Sequence, residues 1–260
     1  MTVLIDCHSH LTAPEFDADR GAVVDRARAA GVAQIALVGQ DDRENLQVLA
    51  AAEAEPAFLP FLGLHPDRFA DRHPLPDPGL VEAVAAQIRQ RAGAIRGIGE
   101  VGLDRWVSQD EDRREAQADA FAQLIGLANE LDLPLNVHSR SAGRRTIDLL
   151  LERGARRVLL HAFDGKASHA LRGVEAGFLF SIPPSLVRSP QKRKLVKALP
   201  LEALALESDS PVLGPTREER NEPANLTLTV RAIAEIKGIG EAEVSSRTTE
   251  NARRLFRLDG

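Results

Sequence analysis

The sequence predicts an α/β protein built as a single-domain (β/α)8 TIM barrel over residues 1–260. Three observations carry that expectation. Eight short apolar runs alternate with longer amphipathic segments along the whole chain. The runs are almost continuously apolar, as strands of a parallel sheet covered on both faces must be. The length of 260 residues suits one α/β barrel.

The first run, residues 3–5, leads into Asp6-Cys7-His8-Ser9-His10, and a helix over 20–30 stops at Gly31. The second run is 32–38, and the helix over 42–53 ends before Pro56. The third run, 57–62, opens into Gly63-Leu64-His65-Pro66 and a Pro-rich stretch, 69–78, read as a long βα loop. A helix over 80–91 ends at Gly93, and the fourth run, 95–98, ends at Glu100. A long helix over 111–131 is broken by Pro134. The fifth run, 135–137, ends at His138, and the helix over 143–153 stops at Gly154, a residue suited to the left-handed position after a helix. The sixth run, 158–160, ends at His161, with a helix at 166–176. The seventh, 178–181, is followed by a helix at 190–199, and the eighth, 204–206, runs into Glu207-Ser208-Asp209. Helices over 225–237 and 241–256 close the chain. An open doubly wound sheet is the alternative arrangement of the same alternation.

Composition narrows the function classes. A single cysteine, Cys7, excludes an intrachain disulfide, and the opening residues carry neither a basic region nor a long apolar stretch, so the expected location is the cytoplasm. No run reaches the length of a membrane span. Lys and Arg number 33 against 38 Asp and Glu, a net charge of −5, so general electrostatic capture of nucleic acid is not expected. Aromatics are 4% of the residues, with no Tyr, leaving few rings on which bases can stack. Nothing points to an obligate protein partner.

Active sites of such barrels lie at the C-terminal ends of the strands. Here His8, His10, Glu100, His138, His161 and Asp209 occupy those ends. An HxH pair alone is a weak signal; the convergence of all six on independently assigned strand ends is what carries weight. Four imidazoles and two carboxylates at one mouth would leave buried ionisable groups unpaired without cations. Six mixed nitrogen and oxygen donors suit two divalent ions, Zn²⁺ before Mn²⁺, Fe²⁺, Co²⁺ or Ni²⁺, with Mg²⁺ less natural beside so many imidazoles. Glu100 is the expected bridge, with the ions about 3.5 to 4 Å apart. His65 is placed for substrate rather than metal. His73 and His169 are read as solvated. Cys7 is expected to point away from the histidines.

The segments DCHSH, GLHP, GEVGLD, NVHSR, HAFDG, ESDSP and EPAN resemble the successive motifs of the TatD-type metal-dependent hydrolases, and the likeness runs from Ile5 to Phe256. DCHSHL, LPLNVHSRSAGR, SIPPSLVRS, RNEPAN and TTENA resemble more closely the third vertebrate branch of that family. The resemblance implies an amidohydrolase-type barrel with two divalent metals and phosphodiester hydrolysis, commonly of DNA. It also implies that His8, His10, Glu100 and Asp209 hold one ion and Glu100, His138 and His161 the other. Ser208 stands where the family usually has Thr, and Arg105-Trp106 where many members have a shorter polar loop.

The expected activity is deoxyribonuclease, exonuclease or endonuclease, with a metal-bound water as nucleophile and Asp209 as general base. Arg140 and His65 are the candidates for phosphate binding. Asp6 is expected to orient an imidazole, with Asp104 and Asp164 in supporting positions. The basic residues Arg188, Lys192, Arg193, Lys194 and Lys197 read first as a solvated helix face, with a backbone guide as the functional alternative. The segment Ser181-Ile182-Pro183-Pro184-Ser185, at the end of the seventh run, is expected to shape the pocket rim, with Phe163 as a stacking wall. Hydrolysis of small phosphoesters or nucleotides is the main rival. A C–N-cleaving amidohydrolase is a lesser one, because Glu100 stands where such enzymes more often carry a bridging lysine.

Overall fold

The computed structural model describes residues 3–77 and 79–258. Its strands are β1 (Leu4–Ser9), β2 (Val32–Val38), β3 (Phe58–Leu62), β4 (Gly97–Gly102), β5 (Leu135–His138), β6 (Val158–Leu160), β7 (Leu179–Ile182) and β8 (Leu204–Leu206). They pair in sequence order and every pair is parallel. Sequential order without reversal rules out the doubly wound alternative, whose sheet changes direction at a switch point. Beyond β8 the chain reaches back to β1: Asp209 N donates to His8 O at 2.9 Å and His10 N to Ser210 O at 2.9 Å, drawing the barrel closed at its C-terminal mouth.

The helices are α1 (Arg20–Ala29), α2 (Asp42–Ala54), α3 (Gly79–Arg91), α4 (Glu111–Leu131), α5 (Gly143–Glu152), α6 (Ala167–Glu175), α7 (Pro190–Ala198), α8 (Leu226–Lys237) and α9 (Glu241–Phe256). Among the described residues no helix is long and apolar enough to cross a membrane. Side chains cap several starts: Asp41 accepts from Arg43 N and Glu44 N, Asp110 from Arg113 N, and Ser189 from Lys192 N. Gly154 takes φ 62° after α5 as expected, whereas α4 ends at Asp132 in the left-handed region, two residues before the proline held responsible. The expected loop of residues 69–78 opens on Phe69, the last residue of a short 3-10 helix (Pro66–Phe69), and is irregular from Ala70 to Asp77; Pro78 lies outside the described residues.

Ile5, Cys7, Ala36, Val38, Leu59, Leu159, Leu179 and Ala205 form one buried cluster. Residues from strands all round the ring meet only inside a barrel, so this cluster is the inner wall. Phe256 of α9 joins it, its ring 5.0 Å from that of Phe61. The outward residues, Leu4, Ile35 and Leu37 among them, pack with α1 and the other helices in a second, larger cluster.

Cys7 therefore corrects an expectation: it lies on the inner side, below the histidines. The cause is a bulge. Asp6 pairs with Ile35 and Ser9 with Leu37, so three steps along β1 oppose two along β2 and strict alternation breaks between them. A further bulge lies in β4, where Ile98 pairs with Leu135 and Val101 with Val137. It sets Glu100 inside the strand rather than beyond its end. Gly99 permits this, because a Cβ there would stand 2.6 Å from the Cβ of Asn136.

Candidate metal centre

The barrel mouth holds a cavity of about 860 Å³ whose wall includes His10, His65, Glu100, His138, His161 and Asp209. His8 lies just beneath, fully buried, its ring stacked on that of His161 with centroids 3.8 Å apart. All six expected ligand side chains thus converge, delivered by β1, β4 and β5 and by residues just after β1, β6 and β8. Asp209 takes φ 53°, a left-handed conformation that Asp tolerates better than most residues.

Glu100 is the centre of the arrangement. Its Oε1 lies 2.8 Å from His138 Nδ1, 2.7 Å from His161 Nε2 and 3.2 Å from His65 Nε2. Its Oε2 faces the other way, 3.6 Å from His8 Nε2 and 3.4 Å from His10 Nε2. Asp209 Oδ1 completes that side at 3.5 Å from each of the same two nitrogens. Three groups have donor atoms mutually within 4.8 Å: His8 with His10 and Asp209, His8 with Glu100 and His161, and His65 with Glu100 and His138.

The donor set fits divalent cations. Glu100 Oε2 is buried and has no hydrogen-bond partner, although the Nε2 atoms of His8 and His10 lie 3.6 and 3.4 Å from it, distances a cation would bridge. Burial would raise the pKa of Glu100, but the imidazoles of His65, His161, His8 and His138 hold it well below the usual carboxylate range. Burial likewise opposes ionisation of Asp209, and the hydrogen bond from His10 outweighs it, holding the carboxyl below its usual range. His8 is pushed down to about 3 by burial and by His161, so its ring is neutral and able to ligate.

Hydrogen bonds on the far ring nitrogens orient the imidazoles. Asn136 Oδ1 lies 2.8 Å from His8 Nδ1 while its Nδ2 donates to Cys7 O at 2.8 Å, which assigns Oδ1 as the acceptor and leaves His8 Nε2 with its lone pair. His138 Nε2 lies 3.0 Å from Asp104 Oδ2, leaving Nδ1 toward Glu100. His65 is the converse: its Nδ1 accepts from Asp67 N at 3.0 Å, so the neutral ring carries its proton on Nε2, the nitrogen facing Glu100.

Several supporting residues differ from expectation. Asp6 meets no imidazole; its Oδ1 accepts from Ser208 N at 2.8 Å and His8 N at 3.3 Å, bracing backbone across the closing seam. Asn136, unmarked in the sequence, performs the imidazole-orienting task. Neither Phe163 nor the segment Ser181–Ser185 is on the rim: all are buried and none lines the cavity. Phe163 is buried against Phe180, and Ser181 Oγ donates to Glu207 Oε2 at 2.5 Å below the site. Glu207 also accepts from Ala162 N at 2.8 Å. Lys192 does not belong to a solvated face: it is buried, donates from Nζ to Ala162 O at 3.1 Å and lines the cavity. Asp164 Oδ2 accepts from Ser141 N at 2.9 Å, tying together two mouth loops. His73 lies 3.4 Å from Asp67 on the outer loop, and His169 sits on α6.

A closed parallel barrel with imidazoles and carboxylates gathered at its C-terminal mouth defines the class of metal-dependent barrel hydrolases. The family described as TatD related DNase matches residues 5–257, and the chain belongs to that family. It is 46% identical over 259 residues to "Deoxyribonuclease TATDN3" of Homo sapiens, covering 97% of this chain and 94% of that one. It is 32% identical over 269 residues to "3'-5' ssDNA/RNA exonuclease TatD" of Pectobacterium atrosepticum, covering 98% of this chain and all (100%) of the other. The crystal structure of the TatD homologue YjjV from Escherichia coli K12 superposes with a TM-score of 0.89 at 26% identity, covering 98% of both chains.

Proposed function

We propose that this chain is a two-metal deoxyribonuclease, acting in the cytoplasm as one functional unit over residues 1–260, with Zn²⁺ as the preferred ion. The observation that carries the reading is the division of Glu100, one oxygen toward His8 and His10 and the other toward His138 and His161. The human relative is named a deoxyribonuclease and the bacterial one an exonuclease on single-stranded DNA and RNA, which supports a nucleic-acid substrate.

His8, His10, Glu100 and Asp209 would hold one ion and Glu100, His138 and His161 the other. Bound there, the ions supply Lewis-acid polarisation of a phosphoryl oxygen and lower the pKa of water. Asp209, kept ionised by its hydrogen bond from His10, accepts the proton of the attacking water as general base. His65, with its proton on Nε2, donates to a substrate oxygen and is not a ligand. Arg140 on the cavity wall and the buried ammonium of Lys192 supply positive charge to flanking phosphates.

The test is turnover of metal-reconstituted protein, with Zn²⁺ and Mn²⁺ in parallel, on a labelled single-stranded oligonucleotide and on methyl p-nitrophenyl phosphate. Stepwise shortening of the oligonucleotide that is lost in Glu100→Ala supports an exonuclease, and internal cuts support an endonuclease. Cleavage of the small ester alone replaces the nuclease reading with a small-molecule phosphodiesterase.

A further inference from the structure

We propose that Trp106 and Arg140 form a platform on which one unpaired nucleobase of the substrate strand stacks, directly outside the metal centre. The proposal rests on the nucleic-acid reading above and adds to it a binding site with its ligand class. Trp106 lies between β4 and α4 and is 65% exposed, the most exposed large apolar side chain among the described residues. The guanidinium carbon of Arg140 lies 5.0 Å from the centroid of its ring. Arg140 also lines the cavity, so the pair reaches from the cavity wall to the outer rim.

The platform is built into the centre rather than hung beside it. Asp104 Oδ1 accepts from Trp106 N at 2.8 Å and Val107 N at 3.2 Å, while Oδ2 of the same carboxylate faces His138 Nε2 at 3.0 Å. Arg105 N donates to Arg140 O at 3.0 Å, joining the two loops on either side. Gln109 Nε2 closes the loop on itself through Arg105 O at 2.9 Å and Trp106 O at 3.3 Å. A loop backbone held this way, with Arg140 over the ring, lowers the entropic cost of presenting the indole.

A nucleobase fits this presentation better than any other occupant. Stacking on an aromatic face suits every base and is worth about 1–3 kcal/mol per base. The adjoining guanidinium offers a planar donor fork to a neighbouring phosphate. With a net charge of −5 and few aromatics, the chain lacks the means for general capture, so a local aromatic and cationic pair at the mouth is where a strand can be held. Bases within a duplex are already stacked on one another, so the platform selects unpaired ends and single strands.

The chain has one Trp and no Tyr, so its indole emission reports position 106 alone. The metal-loaded full chain is titrated with a phosphorothioate oligothymidylate of about twelve nucleotides, which resists cleavage, and with an abasic strand of equal length. Saturable quenching by the first and not by the second is the expected result. By anisotropy of a labelled strand, Trp106→Ala weakens binding about five- to hundredfold, the stacking range above, and Trp106→Phe restores most of it. Equal quenching by the abasic strand, no saturable quenching, or Trp106→Ala binding within about twofold of wild type overturns the platform. Quenching without oligonucleotide turnover retains the platform and removes the nuclease reading. Turnover without quenching does the reverse.

Discussion

Asp104 Oδ2 lies 3.0 Å from His138 Nε2, a buried carboxylate behind a part-buried imidazole, and this leaves His138 Nδ1 2.8 Å from Glu100 Oε1. Burial alone would lower the pKa of His138, but hydrogen bonds to Asp104 and Glu100 raise it to about 10. Asp104→Asn keeps an acceptor for Trp106 N and Val107 N and removes the acceptor for Nε2–H. Metal affinity is expected to fall about 10- to 100-fold with the fold intact, measured by chelator competition and circular dichroism. In the wild type the proton on His138 competes with the ion. Affinity therefore rises with pH and loading releases protons, which calorimetry in two buffers of different ionisation enthalpy detects.

Asn136 joins β5 to β1 by accepting from His8 and donating to Cys7 O, both at 2.8 Å and both buried. Asn136→Leu removes two hydrogen bonds and strands a backbone carbonyl. We expect a loss of about 2–4 kcal/mol in urea unfolding of the metal-free protein. A loss below about 1 kcal/mol would show that the neighbours find new partners.

Burial raises the pKa of Asp6 to about 7, against the lowering effect of its bonds to Ser208 and His8. A carboxyl whose folded pKa exceeds its unfolded value gives stability that is full below the unfolded pKa and lost as pH rises through the folded one. Metal-free protein should therefore lose on the order of 2–3 kcal/mol from this group between about pH 5 and 8. Asp6→Asn should flatten that part of the profile, and urea midpoints at the two pH values test it.

Lys192 is a buried cation on the cavity wall, its pKa lowered chiefly by burial. Lys192→Met retains the packing of the stem and removes the charge. On a single-stranded oligonucleotide KM should rise several-fold, and the slope of log KM against log salt should fall by about 0.7, the value for one phosphate contact. An unchanged salt slope refutes the contact.

The alternation of apolar runs and amphipathic segments was legible, as were the six side chains at the strand ends, because both are local patterns. Strand limits were less so. Polar Asp6, His8 and Glu100 look like loop residues, yet they lie within β1 and β4, where groups from distant strands supply their partners. The bulges beside Cys7 and Glu100 leave no mark in a period of two, so strict alternation turns Cys7 to the wrong face. Lys192 sits in a basic run, and only the packing of α7 on Ala162 distinguishes it from its solvated neighbours.

By itself the sequence determined the number and order of βα units and the kinds of side chain that meet at the mouth, since periodicity and residue type act over a few residues. Tertiary structure decided which oxygen of Glu100 faces which imidazole, which nitrogen of His65 and His138 is turned to the centre, and that Trp106 meets Arg140. Those relationships join residues on different strands and loops, and barrel closure together with the strand bulges sets them.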